Sequence, residues 1–205
     1  MKKLLFLFMI SLNIWALSSS EILKKVDYNM TPTTVKYDGK MVIHQGSSVL
    51  TKEMKVIAKG ADLGLIEFMS PARDKGTKFL RTDSLLYIYF PSAGKTQKLS
   101  GHMLRQGMMG SDLSYEDQTS RNKLDDIYNS KILKETDDEY TLELILKPNE
   151  ENSYYKRVLT VDKKKFVLLD SLMYANSGKL LKELSVLKYE KIKDTLIGTV
   201  FWLKF

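Results

Sequence analysis

The chain of 205 residues contains no cysteine and only two histidines. Without cysteine it can form no disulfide and cannot carry a lipid on an N-terminal thiol, so we expect it to fold without disulfides even in an oxidising compartment. The two histidines, His44 and His102, leave little material for a metal site, and no Gly-x-Ser-x-Gly elbow accompanies them. No basic helix with interleaved aromatic residues is present, which argues against a nucleic-acid partner. The sequence therefore predicts neither a metal nor another cofactor.

The first 18 residues have the pattern of a secretory signal. Met1-Lys2-Lys3 is a basic start, residues 4–10 are an unbroken apolar run, and Ala16-Leu17-Ser18 supplies small residues where signal peptidase reads. An uncleaved anchor is the alternative, but a spanning helix needs about 20 apolar residues. We expect a cleaved signal peptide (residues 1–18), a periplasmic protein and one domain (residues 19–205). Loss of two lysines with the signal lowers the formal charge from +7 to +5, which still favours approach to anionic membranes.

Hydrophobic spacing predicts one helix followed mostly by strands. Residues 19–30 place Ile22, Leu23, Val26 and Met30 on one helical face. From Val35 onward the apolar residues alternate at period two, which predicts a curved antiparallel sheet of nine or ten strands in a mainly β fold. Only the helix and residues 101–129 are free to cover that sheet, so we expect an apolar hollow.

A methionine- and glycine-rich segment, residues 102–110, interrupts the strands. Glycine weakens helices and methionine is the adaptable apolar residue, so this segment, called the flap below, suits a mobile cover over an apolar surface. An ordinary loop whose methionines fill the core is the alternative. Residues 110–117, called the anchor motif, have the sequence Gly-Ser-Asp-Leu-Ser-Tyr-Glu-Asp. Our hypothesis is that Asp112 caps this turn and that Tyr115, with Glu116 or Asp117 meeting an Arg or Lys on a strand, helps to fix the flap.

The candidate lining of the hollow consists of apolar residues at alternating strand positions. On the strands these are Met41, Ile43, Met54, Val56, Ile66, Phe68, Leu86, Ile88, Phe90, Leu142 and Leu144. In the flap they are Met103, Leu104, Met108 and Met109. Plain core packing is the alternative for each of them.

Three stretches carry a resemblance to a known family. Residues 68–77, 87–95 and 110–117, in that order, resemble the outer-membrane lipoprotein-sorting (LolA-like) family, in particular its branch with a Gly-Ser-Asp-x-Ser-Tyr-Glu-Asp signature. The resemblance implies an incomplete, half-open β-barrel with a helical lid and a cavity for acyl chains. It also implies transient membrane contact and exchange with an inner-membrane donor and an outer-membrane acceptor protein.

The sequence thus predicts a periplasmic carrier, without enzymatic activity, for the acyl chains of lipoproteins or phospholipids. A lipid-sensing regulatory module of the envelope is the first alternative. A hydrolase of acyl esters using Ser111, His102 and Asp112 is the second, less favoured because Gly110-Ser111-Asp112 is more typical of a turn and a helix cap.

Overall fold

The structure is a computed structural model that describes residues 17–30, 33–60, 62–82, 85–119, 123–192 and 195–204. The predicted signal peptide lies almost entirely outside these residues. Within the described ranges, no helix is both long enough and apolar enough to cross a membrane.

Within the residues that the structure describes, twelve strands form two antiparallel sheets in which each strand pairs with its neighbour along the chain. The first sheet contains β1 (Thr34–Gln45), β2 (Ser48–Lys59), β3 (Leu63–Ser70), β4 (Lys78–Thr82), β5 (Leu85–Phe90) and β6 (Lys95–Leu99). The second contains β7 (Tyr128–Glu135), β8 (Glu139–Leu146), β9 (Lys156–Asp162), β10 (Leu168–Tyr174), β11 (Leu180–Ile192) and β12 (Thr195–Lys204). The predicted mainly β, antiparallel fold is confirmed.

The sequence predicts one sheet, and the structure divides it between β6 and β7. The described part of the intervening chain forms two 3-10 turns, Gly101–Arg105 and Met108–Gly110, and two short helices, α2 (Tyr115–Thr119) and α3 (Leu124–Ile127), which follow the N-terminal helix α1 (Ser19–Met30) in numbering. Among the described residues β1 and β12 do not pair either, so the barrel is not closed.

The N-terminal helix α1 spans Ser19–Met30, as the spacing predicts. Ser18 and Glu21 form a capping box: the Ser18 N–H and hydroxyl donate to Glu21 Oε2 at 2.8 and 2.7 Å, and the Glu21 N–H donates back to Ser18 Oγ at 3.2 Å. Ile22, Leu23 and Val26 are fully buried against the second sheet. Helix α1 therefore covers the apolar face of that sheet.

Each sheet has one buried face, which we call its inner face. On β2, for example, Lys52, Met54, Val56 and Ala58 are buried, whereas the intervening residues are exposed. The hairpin from β1 to β2 turns at Gly46, whose φ of +58° suits glycine. Two buried clusters result, one on each inner face.

Candidate functional site

The inner face of the first sheet carries the larger part of the predicted lining. Met54, Val56, Phe68, Leu86 and Ile88 are all exposed by 9% or less and belong to one cluster. Ile43 is also buried, and Met41 and Ile66 are partly buried and pack against the same cluster. Phe79 and Leu99, which are not among the predicted lining residues, complete this surface.

Three of the predicted lining residues lie elsewhere. Leu142 and Leu144 are fully buried in the cluster beneath α1, on the second sheet. Phe90 is 36% exposed at the end of β5. The predicted set therefore divides between two surfaces.

The flap covers the inner face of the first sheet. Met108 is 1% exposed within the cluster, and Met103, Leu104 and Met109 are partly buried against it. Met109 has φ +54°, a left-handed conformation that costs a residue other than glycine roughly 1–2 kcal/mol. Such strain persists only where the surrounding contacts hold it.

The inner faces are closed at their centres. Phe68, Leu142 and Leu144 are 0% exposed, whereas a side chain beside a hollow wide enough for an acyl chain would keep accessible surface. The hollow expected from the sequence is thus filled at these positions by the flap and by α1. Among inward-facing residues, Met41, Ile66, Leu184 and Val186 retain some exposure.

The anchor motif ties the flap to the second sheet. Asp117 accepts hydrogen bonds from Lys182 Nζ on β11 at 2.6 Å and from the Tyr154 hydroxyl at 2.7 Å. The N–H and hydroxyl of Ser114 donate to the same carboxylate at 2.8 Å each. Glu116 accepts from the N–H of Ser153 at 3.1 Å and from its hydroxyl.

Within the motif, the capping role belongs to Ser114 and not to Asp112. The Asp117 N–H donates to Ser114 Oγ at 3.3 Å, which completes a capping box at the start of α2. Asp112 is exposed. The Tyr115 ring packs on Phe79 of the first sheet with ring centroids 5.7 Å apart. The motif therefore contacts both sheets, through Tyr115 on one side and Asp117 on the other.

The ion pair between Asp117 and Lys182, which we call the latch, is well shielded. The side chains are 15% and 6% exposed. Burial alone would raise the pKa of the Asp117 carboxyl, but the Lys182 ammonium and the hydrogen bonds from Lys182, Tyr154 and Ser114 hold that pKa below its ordinary value. Burial and the Asp117 carboxylate raise the pKa of the Tyr154 hydroxyl, which stays protonated as a donor.

Aromatic and cationic groups extend the latch into the second sheet. The Lys182 ammonium lies 5.4 Å from the Tyr154 ring centroid, and the Arg157 guanidinium, on β9, lies 4.9 Å from the same centroid. The Tyr128 hydroxyl donates to the Tyr154 carbonyl at 2.7 Å and accepts from Arg157 Nε at 3.2 Å. The latch is thus seated in a connected polar network.

A second shielded pair fixes the loop between β3 and β4. Lys52 of β2 is 1% exposed and pairs with Asp74 of the loop. Its ammonium also lies 6.0 Å from the Phe68 ring centroid. The sequence carried a signal for this pair, because Lys52 occupies an apolar-face position of a strand and a buried charge requires a partner.

The residues of the hydrolase alternative do not assemble for catalysis. The Ser111 hydroxyl donates to the Met108 carbonyl at 2.7 Å, as in a turn, while His102 and Asp112 are exposed. His44 is exposed, with its ring 6.1 Å from the ring of Trp202. Within the described ranges, no group of three or more His, Cys, Asp or Glu is placed to hold a metal ion.

Surface grooves among the described residues lie outside the flap region. One, of about 330 Å³, lies between α1 and Phe166 and is lined by Lys24, Lys25, Tyr28 and Asn29. The other, of about 380 Å³, crosses the outer face of the first sheet. Neither groove includes a residue of the predicted lining.

Comparison with known proteins gives one family and several solved structures. A family model described as "Uncharacterized protein" matches residues 60–203, more than half of the chain. No curated protein matches significantly. A DUF1329 family protein from Desulfovibrio piger is 27% identical, with a TM-score of 0.83 over 91% of this chain and 84% of that one.

Two more distant structures have the same fold. A protein domain from Vibrio parahaemolyticus, described as outer membrane lipoprotein-sorting, is 23% identical, with a TM-score of 0.76 over 86% of this chain and 80% of that one. A LolA superfamily protein from Nitrosomonas europaea is 23% identical, with a TM-score of 0.73 over 92% and 86%. The predicted LolA-like, half-open β architecture is therefore confirmed.

Proposed function

Because the chain belongs to the family whose model matches residues 60–203 and has the LolA-like fold, we propose that it is a periplasmic carrier for acyl chains. The cargo is a lipoprotein or a phospholipid. The protein binds it without chemical change and moves it from an inner-membrane donor toward an outer-membrane acceptor. The descriptions of two similar structures, an outer membrane lipoprotein-sorting domain and a LolA superfamily protein, support this assignment.

The observation that carries the proposal is that the flap has adaptable apolar contacts to the first sheet, whereas the anchor motif that follows it has specific polar contacts to the second sheet. Its apolar side contacts the first sheet through Met103, Leu104, Met108 and Met109, of which only Met108 is fully buried. Methionine side chains are unbranched and adaptable, so they can be exchanged for the methylenes of a lipid at little packing cost. In this structure they occupy the surface that an acyl chain takes in the loaded protein.

The anchor motif supplies a defined polar attachment for the flap. The latch and the bonds to Ser153 hold the anchor motif to the second sheet while the methionines leave the first sheet. Gln45 of β1 donates to the Gly110 carbonyl at 3.2 Å, a single neutral bond that opening breaks. Opening therefore pivots about residues 114–117.

Dispersion and desolvation supply enough free energy for binding. At about 0.8 kcal/mol for each buried methylene, ten methylenes contribute roughly 8 kcal/mol before association costs. The chain needs no charged site for this. Met41 and Ile66, inward-facing and partly exposed beside the flap, are the residues that cargo meets first.

The test compares neighbouring residues on opposite faces of β3. Ile66 faces the flap and Leu65 the outer face, and both are partly buried. We expect Ile66→Asn to weaken binding of a fluorescent fatty acid such as parinaric acid by about five-fold or more. Leu65→Asn, the matched control, should stay within about two-fold.

Native mass spectrometry of the protein purified from the periplasm provides the second measurement. We expect co-purifying acyl lipid that is released intact. Absence of lipid together with no fatty-acid binding refutes the carrier. Release of free fatty acid from esters, abolished by Ser111→Ala, identifies a hydrolase instead.

A further inference from the structure

An apolar stripe crosses the outer face of the first sheet. The strand register pairs Ile57 with Leu65, Leu65 with Leu80, and Leu80 with Tyr87. Residues directly opposite each other in an antiparallel pair lie on the same face, so these four side chains form a continuous row. The row runs across β2, β3, β4 and β5.

The apolar side chains of the stripe face solvent and are not needed for the core of the fold. Ile57 and Leu80 are each 45% exposed, and Tyr89 beside them is 36% exposed. A groove of about 380 Å³ follows the stripe, lined by Leu65, Lys78, Leu80, Tyr87, Tyr89 and Thr96. The core of this sheet is already complete on its inner face. An exposed apolar patch of this kind marks an interaction surface.

Lysines border the stripe on its sides and at both ends. The register places Lys36 opposite Ile57 at one end and Lys98 opposite Tyr87 at the other. The lysines assigned to this face by alternation are Lys36, Lys40, Lys55, Lys59, Lys78 and Lys98, and the acidic residues are Asp38, Glu53 and Glu67. Six positive and three negative charges leave the face at +3.

We propose that this outer face docks on the surface of an anionic phospholipid bilayer. The apolar and tyrosine side chains suit the interface between headgroups and acyl chains, and the lysines complement anionic headgroups. A second copy of the chain fits less well, because a symmetric dimer through this face would oppose two surfaces of charge +3. Docking does not depend on cargo, since the stripe and the flap lie on opposite faces of the sheet.

Charge is tested with vesicles of phosphatidylethanolamine and phosphatidylglycerol, using the protein isolated from the periplasm. The variant Lys36→Gln/Lys98→Gln removes the positive charge at each end of the stripe. The control Lys134→Gln/Lys179→Gln removes two exposed lysines, one on β7 and one in the turn before β11, so the net charge falls equally. At about five-fold for each lysine, the first variant should bind roughly twenty-five-fold more weakly, and the control should stay within about two-fold. Equal losses overturn the proposal.

The apolar contribution is tested by substituting two leucines of similar exposure. Leu80→Thr alters the stripe at a residue 45% exposed, and Leu133→Thr alters the second sheet at a residue 49% exposed. We expect only Leu80→Thr to weaken vesicle binding, and all binding to fall in high salt and on phosphatidylcholine vesicles. Self-association in analytical ultracentrifugation that Leu80→Thr abolishes would identify a dimer interface and overturn membrane docking.

The two proposals fail separately. Ile66→Asn should impair fatty-acid binding and leave vesicle binding unchanged, because its side chain faces the flap. The Lys36→Gln/Lys98→Gln variant should do the reverse. Loss of vesicle binding in Ile66→Asn as well would show that membrane association needs cargo, which contradicts docking through the outer face.

Discussion

Replacing Lys182 by Met should release the anchor motif from the second sheet. The ammonium of Lys182 lies 2.6 Å from Asp117 Oδ2, and both side chains are largely shielded from solvent. Removing one partner of a buried pair leaves the other charge uncompensated, at a cost of about 3–5 kcal/mol. Methionine keeps most of the volume of the lysine side chain, so packing changes little.

The carboxylate of Asp117 retains other donors, which reduces this cost. The Tyr154 hydroxyl and the N–H and hydroxyl of Ser114 still reach it. Hydrogen bonds to a charged group are worth about 1.5–3 kcal/mol each. We therefore expect Lys182→Met to lower the free energy of unfolding at pH 7 by about 2–4 kcal/mol.

The effect should depend on pH in a defined direction. In the wild type the pKa of Asp117 is lowered, so its contribution is present above the ordinary value of 3.8 and is lost as the pH falls through the folded pKa. In Lys182→Met the chief lowering cause is gone and burial raises this pKa instead. Protonation of Asp117 then removes the uncompensated charge in the variant. The difference in free energy of unfolding between the wild type and the variant should therefore shrink as the pH falls from 7 to 4.

The measurements are urea unfolding by circular dichroism and hydrogen exchange of residues 102–117 followed by mass spectrometry. Exchange of the flap should accelerate more than that of α1. The control is Lys164→Met, which removes a pair with Asp138 in which both side chains are 75% exposed, and it should leave the midpoint unchanged. A loss in free energy of unfolding no larger than in this control, or unaltered hydrogen exchange in the flap, would refute the proposed role of the latch.

Three further substitutions test other parts of the structure. Burial raises the pKa of Asp27 to about 6, so its stabilising contribution is full below pH 3.8 and is lost as the pH rises through about 6. Asp27→Asn should therefore raise the free energy of unfolding at pH 8 by up to about 3 kcal/mol. A lower stability of this variant than of the wild type in thermal unfolding at pH 8 contradicts this reasoning. Lys52→Met breaks the pair with Asp74 and should cost about 3 kcal/mol in urea unfolding, whereas Lys55→Met, exposed on the other face of β2, should cost less than about 0.5 kcal/mol. Gly107→Ala places a Cβ 2.3 Å from a main-chain oxygen in the same turn and should speed hydrogen exchange in the flap; unchanged exchange would show that the turn adjusts freely.

Local patterns account for what the sequence could predict. Helix α1 was found at its observed bounds because its apolar spacing and cap are local features. Strands β1, β2 and β8 are predictable because one face is buried and the other solvated. Strand β6, Lys95–Leu99, is not predictable from alternation because four of its five residues are polar and exposed.

The site was harder to predict because its contacts are distant in sequence. Asp117 and Lys182 are 65 residues apart, and the alternation in β11 is too irregular to show that Lys182 faces inward. The sequence indicates that Glu116 or Asp117 meets a cation on a strand, but it does not identify Lys182 as that cation. The division into two sheets is also not predictable, since it follows from how residues 101–119 and 124–127 fold and not from any strand.

The two covers of the sheets differ in how firmly they are held, and this decides which one a cargo chain can displace. Helix α1 buries Ile22, Leu23 and Val26 completely, which at about 1.5–3 kcal/mol for each side chain amounts to roughly 5–9 kcal/mol. The flap buries only Met108 to that degree, or about 1.5–3 kcal/mol, with partial contributions from its neighbours. Ten methylenes of an acyl chain supply roughly 8 kcal/mol, enough to replace the flap and not enough to replace the helix together with association costs. Opening should therefore occur at the flap, with α1 as the fixed wall.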